Sequence, residues 1–96
     1  LYSRTRDFIE EFSAALSKFH TVLLLDIYPA RELPIDGVDA NWLLSKISSP
    51  VKKTVKLKDL DKQIYNCKMK INVTLGAGNI GNEALKIKKQ LLEYAI

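Results

Sequence analysis

Apolar and polar positions alternate along the chain with several distinct periods, and each period predicts an element. Between Thr5 and Phe19 the apolar side chains recur at Phe8, Phe12, Ala15, Leu16 and Phe19, the spacing of one helix face. This predicts an amphipathic helix starting near Arg4, with the Phe8, Phe12 and Phe19 stripe in the core. Ser3 or Thr5 would cap its first amides, and Asp7 would sit at the positive end of its dipole. Thr21 to Ile27 reads TVLLLDI, an apolar run without polar alternation, as a parallel strand covered on both faces requires. Pro29 ends it, because proline cannot donate to a ladder, and a polar loop continues through Pro34 and Asp36-Gly37. Asp39 then caps a short helix carrying Trp42, Leu43 and Ile47, which Ser48-Ser49-Pro50 terminates.

Thr54 to Leu57 reads as a short strand, and Leu60, Ile64 and Cys67 give the stripe of a helix over Asp59 to Lys68. Met69, Ile71, Val73 and Leu75 alternate with Lys70, Asn72 and Thr74, the pattern of a half-covered strand near a sheet edge. From Asn82 to Ala95 a last helix follows, with Ala84, Leu85, Ile87, Leu91, Leu92 and Ala95 inward. The alternation of helix and strand predicts the α/β class, a Rossmann-like three-layer arrangement with a mostly parallel sheet. A sheet of three strands is thin. Because the first element is a helix preceded by polar residues, the strand that should feed it is expected to lie upstream of Leu1.

The 96 residues fit one domain, and a composition 47% hydrophobic supplies a small core. The longest apolar run, Val22 to Leu25, is too short to cross a bilayer, so no membrane contact is expected. Cys67 is the only cysteine, which excludes an internal disulfide and any multi-cysteine zinc site and fits a reducing cytoplasm. The net charge of +4 suits an anionic partner. Its lysines, however, fall mainly at Lys52 to Lys70 and Lys86 to Lys89, among acids and apolar residues, as on solvated faces. No aromatic cluster of the RNA-binding kind accompanies them, so nucleic acid is not the expected partner.

In open parallel sheets ligands bind beyond the carboxyl ends of the strands. That rule selects residues 1–6, 26–32 and 76–81, expected on one rim of the sheet. Arg4 and Arg6, at the start of a helix, would hold a carboxylate or phosphate together with free backbone amides. In the alternative, one arginine pairs with Asp7 or Glu10 and the other is solvated. Asp26, Tyr28, Arg31 and Glu32 lie on a loop stiffened by Pro29 and Pro34, which either positions a ligand or only keeps the surface soluble. Gly76-Ala-Gly-Asn-Ile-Gly81 can approach an anion closely or serve as a tight turn. It has neither the dinucleotide glycine spacing nor the Gly-Lys-Ser/Thr of an ATP-cradling loop. His20 reads as a partner for the negative end of the first helix, Cys67 as packing and Trp42 as a core or hinge aromatic. No catalytic residue and no metal ligand is singled out.

Taken together, three strings resemble the muramyl ligases, and within them the members that add L-alanine to UDP-N-acetylmuramate. Tyr2-Ser-Arg-Thr-Arg-Asp-Phe8 is similar to the family's Tyr-Thr/Ser-Arg-Thr-Arg-Asp stretch. Leu25-Asp-Ile-Tyr-Pro-Ala-Arg-Glu32, followed by Pro34 and Gly37-Val38, looks like its strand and loop, and Thr74-Leu-Gly-Ala-Gly-Asn-Ile80 resembles its last strand and turn. The likeness spans nearly the whole chain and is weakest from Ser48 to Lys70. It implies the C-terminal, amino-acid-binding domain of an ATP- and Mg2+-dependent ligase of peptidoglycan synthesis, working through an acyl phosphate. Other domains would bind the nucleotides and the metal, and this part alone would be inactive. The resemblance further implies that Arg4, with Tyr2 and Arg6, faces the L-alanine carboxylate or the phosphate-rich centre. Tyr28, Ala30 and Arg31 would shape the closing face, and Gly76, Gly78 and Asn79 the adjoining turn. Asn79 stands where the commoner pattern has Asp, and the family's His-containing segment would precede Tyr2. Two other readings stay open: a muropeptide-recycling ligase that attaches a whole peptide, and a stand-alone anion- or nucleic-acid-binding domain.

Overall fold

In a computed structural model, which describes residues 1–76 and 80–94, the chain divides into two compact units, Leu1–Val55 and Lys56–Ile96. The first unit holds helices α1 (Tyr2–Asp7) and α2 (Ile9–Leu16), strand β1 (Thr21–Leu24), helix α3 (Ala40–Lys46) and strand β2 (Val51–Thr54). The two strands pair in parallel, Thr21 opposite Val51 through Leu24 opposite Thr54. Backbone bonds from Val51 to the His20 carbonyl (3.1 Å) and from Val55 to the Leu24 carbonyl (2.8 Å) extend the ladder at both ends. A parallel pair needs a crossover, and α3 supplies it. The α/β class is therefore as the sequence predicts, built on a parallel pair with helices, consistent with a Rossmann-like fold.

Two of the expected strands are corrected. The second strand runs over Val51–Thr54 rather than from Thr54 to Leu57, and Leu57–Asp59 forms a 3-10 turn instead. All four β2 side chains are exposed, so no apolar alternation marks the strand in the sequence. The alternating segment Met69 to Leu75 is not a strand: it belongs to the second unit and carries no ladder. Ile71, Val73 and Leu75 are 82%, 60% and 61% exposed, so alternation here does not correspond to a covered face.

The single helix predicted from Thr5 to Phe19 is two helices that begin earlier. Phe8 leaves the helical region (φ −118°, ψ 25°) and α2 begins at Ile9, while the Phe8 amide still donates to the Arg4 carbonyl at 3.0 Å and the Phe12 amide to the Phe8 carbonyl at 2.9 Å. Leu1 stands at the N-cap without a side-chain cap, and the Thr5 hydroxyl turns back to donate to the Leu1 carbonyl at 2.9 Å. The phenylalanine stripe is not core in this chain. Phe8, Phe12 and Phe19 are 40–45% exposed, whereas Thr5 and Ser13 are buried. Phe8 and Phe12 still meet in a tilted ring contact, with centroids 6.1 Å apart.

The core of this unit gathers Val22, Val38, Ala40, Ile47 and Val55. Asp39 caps α3 as predicted, its carboxylate accepting from the Trp42 amide at 2.7 Å. The helix stops one residue before Ile47, whose backbone is extended (φ −89°, ψ 133°). Ends of helices leave carbonyls without partners, and polar side chains meet them here. Ser49 Oγ donates to the Leu16 carbonyl (3.2 Å), the Ser48 amide donates to Ser17 Oγ (2.9 Å), and Lys52 Nζ reaches the Leu44 (3.1 Å) and Ile47 carbonyls. The lysine's charge also suits the negative end of α3. His20, expected to serve the end of the first helix, has its Nδ1 2.9 Å from the Thr21 hydroxyl.

In the second unit α4 (Leu60–Cys67) and α5 (Ile80–Tyr94) pack together. The α4 stripe buries Leu60 and Ile64, leaves Cys67 half-buried, and ends at Lys68 in the left-handed region (φ 53°). The inward face of α5 is narrower than expected. Ile87 is buried and Ile80, Leu91 and Tyr94 are half-buried, whereas Ala84, Leu85 and Leu92 are exposed. A helix with one packing partner covers a single stripe, and positions 80, 87, 91 and 94 trace it. Ala95 lies outside the described residues.

The Tyr94 hydroxyl donates to Asp61 Oδ2 at 2.9 Å, and its ring meets that of Tyr65 in a tilted contact with centroids 5.1 Å apart. The hydrogen bond to Asp61, then desolvation and the nearby negative charge of Asp61, raise the Tyr94 pKa above its ordinary value of 10.0. A raised folded-state pKa contributes stability that is complete below the unfolded pKa and is lost as pH rises through the folded value. The α4–α5 pair is therefore expected to weaken in the alkaline range above about 10, and Tyr94→Phe to flatten that dependence. Alkaline titration of the helical circular dichroism checks this; identical alkaline profiles for the two proteins would remove the bond from the stability of the unit.

Candidate functional site

The first two loop segments chosen by the sequence come together in the first unit. The Ser3 amide donates to Glu32 Oε1 at 3.2 Å across 29 residues of chain, so the start of α1 and the loop after β1 touch. The expected anion site at the start of the helix is thereby changed. Arg4 and Arg6 do not stand among free amides but in the last turn of α1, because the helix already begins at Tyr2. The anion at its beginning is the chain's own Glu32. Hydrogen bonding to Ser3 is the largest cause that holds the Glu32 carboxyl below the usual range.

The two arginines differ. Arg6 Nε donates to Asp7 Oδ1 at 2.8 Å, an exposed pair that raises the arginine's pKa and lowers the carboxylate's, through the hydrogen bond first and charge attraction second. Arg4 is exposed and forms no ion pair among the described residues. Residue types alone left open an arrangement with one arginine paired to Asp7 and the other solvated, and the structure adopts it. Tyr2 is half-buried beside them.

After β1 the chain runs without regular structure to a turn in which the Glu32 amide donates to the Pro29 carbonyl at 2.9 Å. Ala30 occupies the left-handed region (φ 51°), a conformation that costs an L-residue with a Cβ about 1–2 kcal/mol. Such strain persists where surrounding contacts hold it, and the Pro29 turn and the Glu32 bond flank Ala30. Tyr28 and Arg31 project from this turn, both exposed.

The third segment belongs to the second unit. Gly76 has φ 146°, and a Cβ there would lie 3.0 Å from Cγ2 of Ile80, so both the backbone and the approach of α5 call for glycine. Gly78 and Asn79 lie outside the described residues. Among the described residues no group of three or more His, Cys, Asp or Glu side chains is placed to hold a metal ion, and no helix is long and apolar enough to cross a membrane. Sequence reasoning did not find the Ser3–Glu32 contact. Glu32 read only as a charged loop residue, and no local pattern marks a partner 29 positions away.

No family model matches the chain. Individual proteins do. A protein of Christiangramia forsetii is 52% identical over 95 residues, covering 99% of this chain and 21% of its own length. Flavobacterium psychrophilum has one 47% identical over 93 residues, and Flavobacterium johnsoniae one 50% identical over 93, each covering 97% of this chain and 21% of the relative. All three are named UDP-N-acetylmuramate–L-alanine ligase. The chain spans about a fifth of the length of the relatives it matches. Over nearly its whole length, this chain is similar to the C-terminal fifth of proteins named UDP-N-acetylmuramate–L-alanine ligase.

Proposed function

We propose that the chain is the amino-acid-binding, closing domain of a cytoplasmic ligase that joins L-alanine to UDP-N-acetylmuramate at the expense of ATP. The observation that carries this reading is the Ser3–Glu32 contact, which sets the Arg4-bearing helix beside the Tyr28–Arg31 turn. The relatives' names support the same substrates. In the proposed reaction the muramoyl carboxylate takes the terminal phosphoryl group of ATP. The L-alanine nitrogen then attacks the carbonyl carbon, phosphate departs, and the nitrogen loses a proton.

This chain contributes binding rather than bond-making. Arg4 holds the L-alanine carboxylate through its guanidinium fork, with Tyr2 and Arg6 beside it. Tyr28, Ala30 and Arg31 shape the face that closes over the acyl phosphate and keeps water from it. ATP and Mg2+ are held, in this reading, by the other domains of the full-length protein. The test is a ligation assay on the full-length protein with ATP and UDP-N-acetylmuramate, offering either free L-alanine or a tripeptide as acceptor. L-alanine is expected to be consumed at least tenfold more efficiently. Preference for the tripeptide would replace this reading with that of a recycling ligase, and no ligation with either would end it.

A further inference from the structure

The proposed reading assigns ligand contact to Arg4 and Arg31, and among the described residues neither forms an ion pair that would fix their separation. Arg31 lies on a turn within an irregular stretch between Leu24 and Ala40, and chain of that kind samples many conformations unless something ties it down. Two bonds meet at Glu32, the next residue. Its amide closes the turn onto the Pro29 carbonyl at 2.9 Å, and its carboxylate accepts from the Ser3 amide at 3.2 Å. The neighbours on either side behave otherwise: Arg31 is exposed and Leu33 is 84% exposed, while Glu32 is half-buried. Ser3 in turn is one residue from Arg4 on a helical backbone, so a restraint on Ser3 is a restraint on Arg4.

We propose that Glu32 is a positioning residue that sets the Arg31 turn at a fixed distance from Arg4 and so determines how tightly the L-alanine carboxylate is held. The inference rests on the ligase reading above. Glu32 touches no substrate in this role. It keeps the left-handed Ala30 turn seated against the first turn of α1, so that the two arginine-bearing segments present one surface. A carboxylate suits the task because both of its oxygens accept and it cannot donate, so it meets a backbone amide at a helix start without leaving a donor of its own.

The experiment is steady-state kinetics on the full-length ligase bearing Glu32→Ala, Glu32→Gln and, in parallel, Arg4→Ala. Glu32→Ala is expected to raise KM for L-alanine about fivefold, the size of effect that one modest hydrogen bond has. KM for UDP-N-acetylmuramate and the urea midpoint should stay near wild type. Glu32→Gln keeps an accepting oxygen and is expected to restore most of the affinity, which a residue serving only overall stability would not show as a selective KM effect. Unchanged L-alanine KM in Glu32→Ala, alongside a large rise in Arg4→Ala, overturns the positioning role and leaves the ligase reading standing. Unchanged values in both variants overturn the ligase reading of this surface as well. If Glu32→Ala fails to fold, Glu32→Gln decides: near-wild-type L-alanine KM supports positioning through the accepting oxygen, and a parallel loss in every parameter overturns it.

Discussion

Replacing Ile47 with alanine is expected to cost the first unit about 2–5 kcal/mol, most of the stability that so small a core can have. Ile47 is 1% exposed, the largest fully buried side chain among the described residues. It stands where α3 gives way to extended chain, its amide still donating to the Leu44 carbonyl at 3.1 Å and its own carbonyl receiving the Lys52 ammonium. The backbone on both sides is thus pinned, and the site cannot collapse readily around a lost side chain. Three buried carbons at about 0.8 kcal/mol each give the transfer part, and the unfilled cavity adds the rest. Trp42, the sole tryptophan of the 96 residues, lies on α3 and reports this unit in urea unfolding. The contrasting variant is Leu33→Ala. Leu33 is 84% exposed, so its replacement should fall within about 0.5 kcal/mol of wild type. Equal midpoints for the two variants would show that burial at Ile47 is not what holds α3 to the sheet.

What could be read in the sequence was whatever depends on neighbours along the chain. The unbroken apolar run at Val22 to Leu25 predicted β1, Asp39 announced the start of α3 through its spacing to the Trp42 amide, and Leu60, Ile64 and Ile87 marked the packed stripes of α4 and α5. What failed depends on partners far away. β2 has four exposed side chains, and its existence is decided by the ladder with β1, which its own composition does not record. Met69 to Leu75 shows the reverse: alternation without pairing. The phenylalanine stripe misled because periodicity marks a helix face without saying what covers it, and Phe8, Phe12 and Phe19 are 40–45% exposed. At the site, the Arg6–Asp7 pair was legible because adjacent opposite charges meet easily. The tie between Ser3 and Glu32 was not, since two separate segments had to fold before it existed.

That contrast decides which arginine matters most to the proposed reaction. Arg6 already shares its charge and its Nε hydrogen with Asp7, so an incoming carboxylate would have to compete with a partner that is always present. Arg4 has no such partner among the described residues, and its fork is open to solvent. A hydrogen bond between charged groups contributes about 1.5–3 kcal/mol, so under the proposed reading Arg4→Ala in the full-length protein should lower kcat/KM for L-alanine roughly 10- to 150-fold. KM for UDP-N-acetylmuramate should change by less than about twofold, because the loss concerns one substrate's carboxylate. Arg4→Lys keeps the charge but loses the planar, two-pronged donor, and is expected to recover only part of the activity. Arg6→Ala should cost much less than Arg4→Ala. Equal losses in the two alanine variants, or a loss spread evenly over all three substrates, would mean that the open guanidinium does not meet the amino acid and that the carboxylate is held from elsewhere.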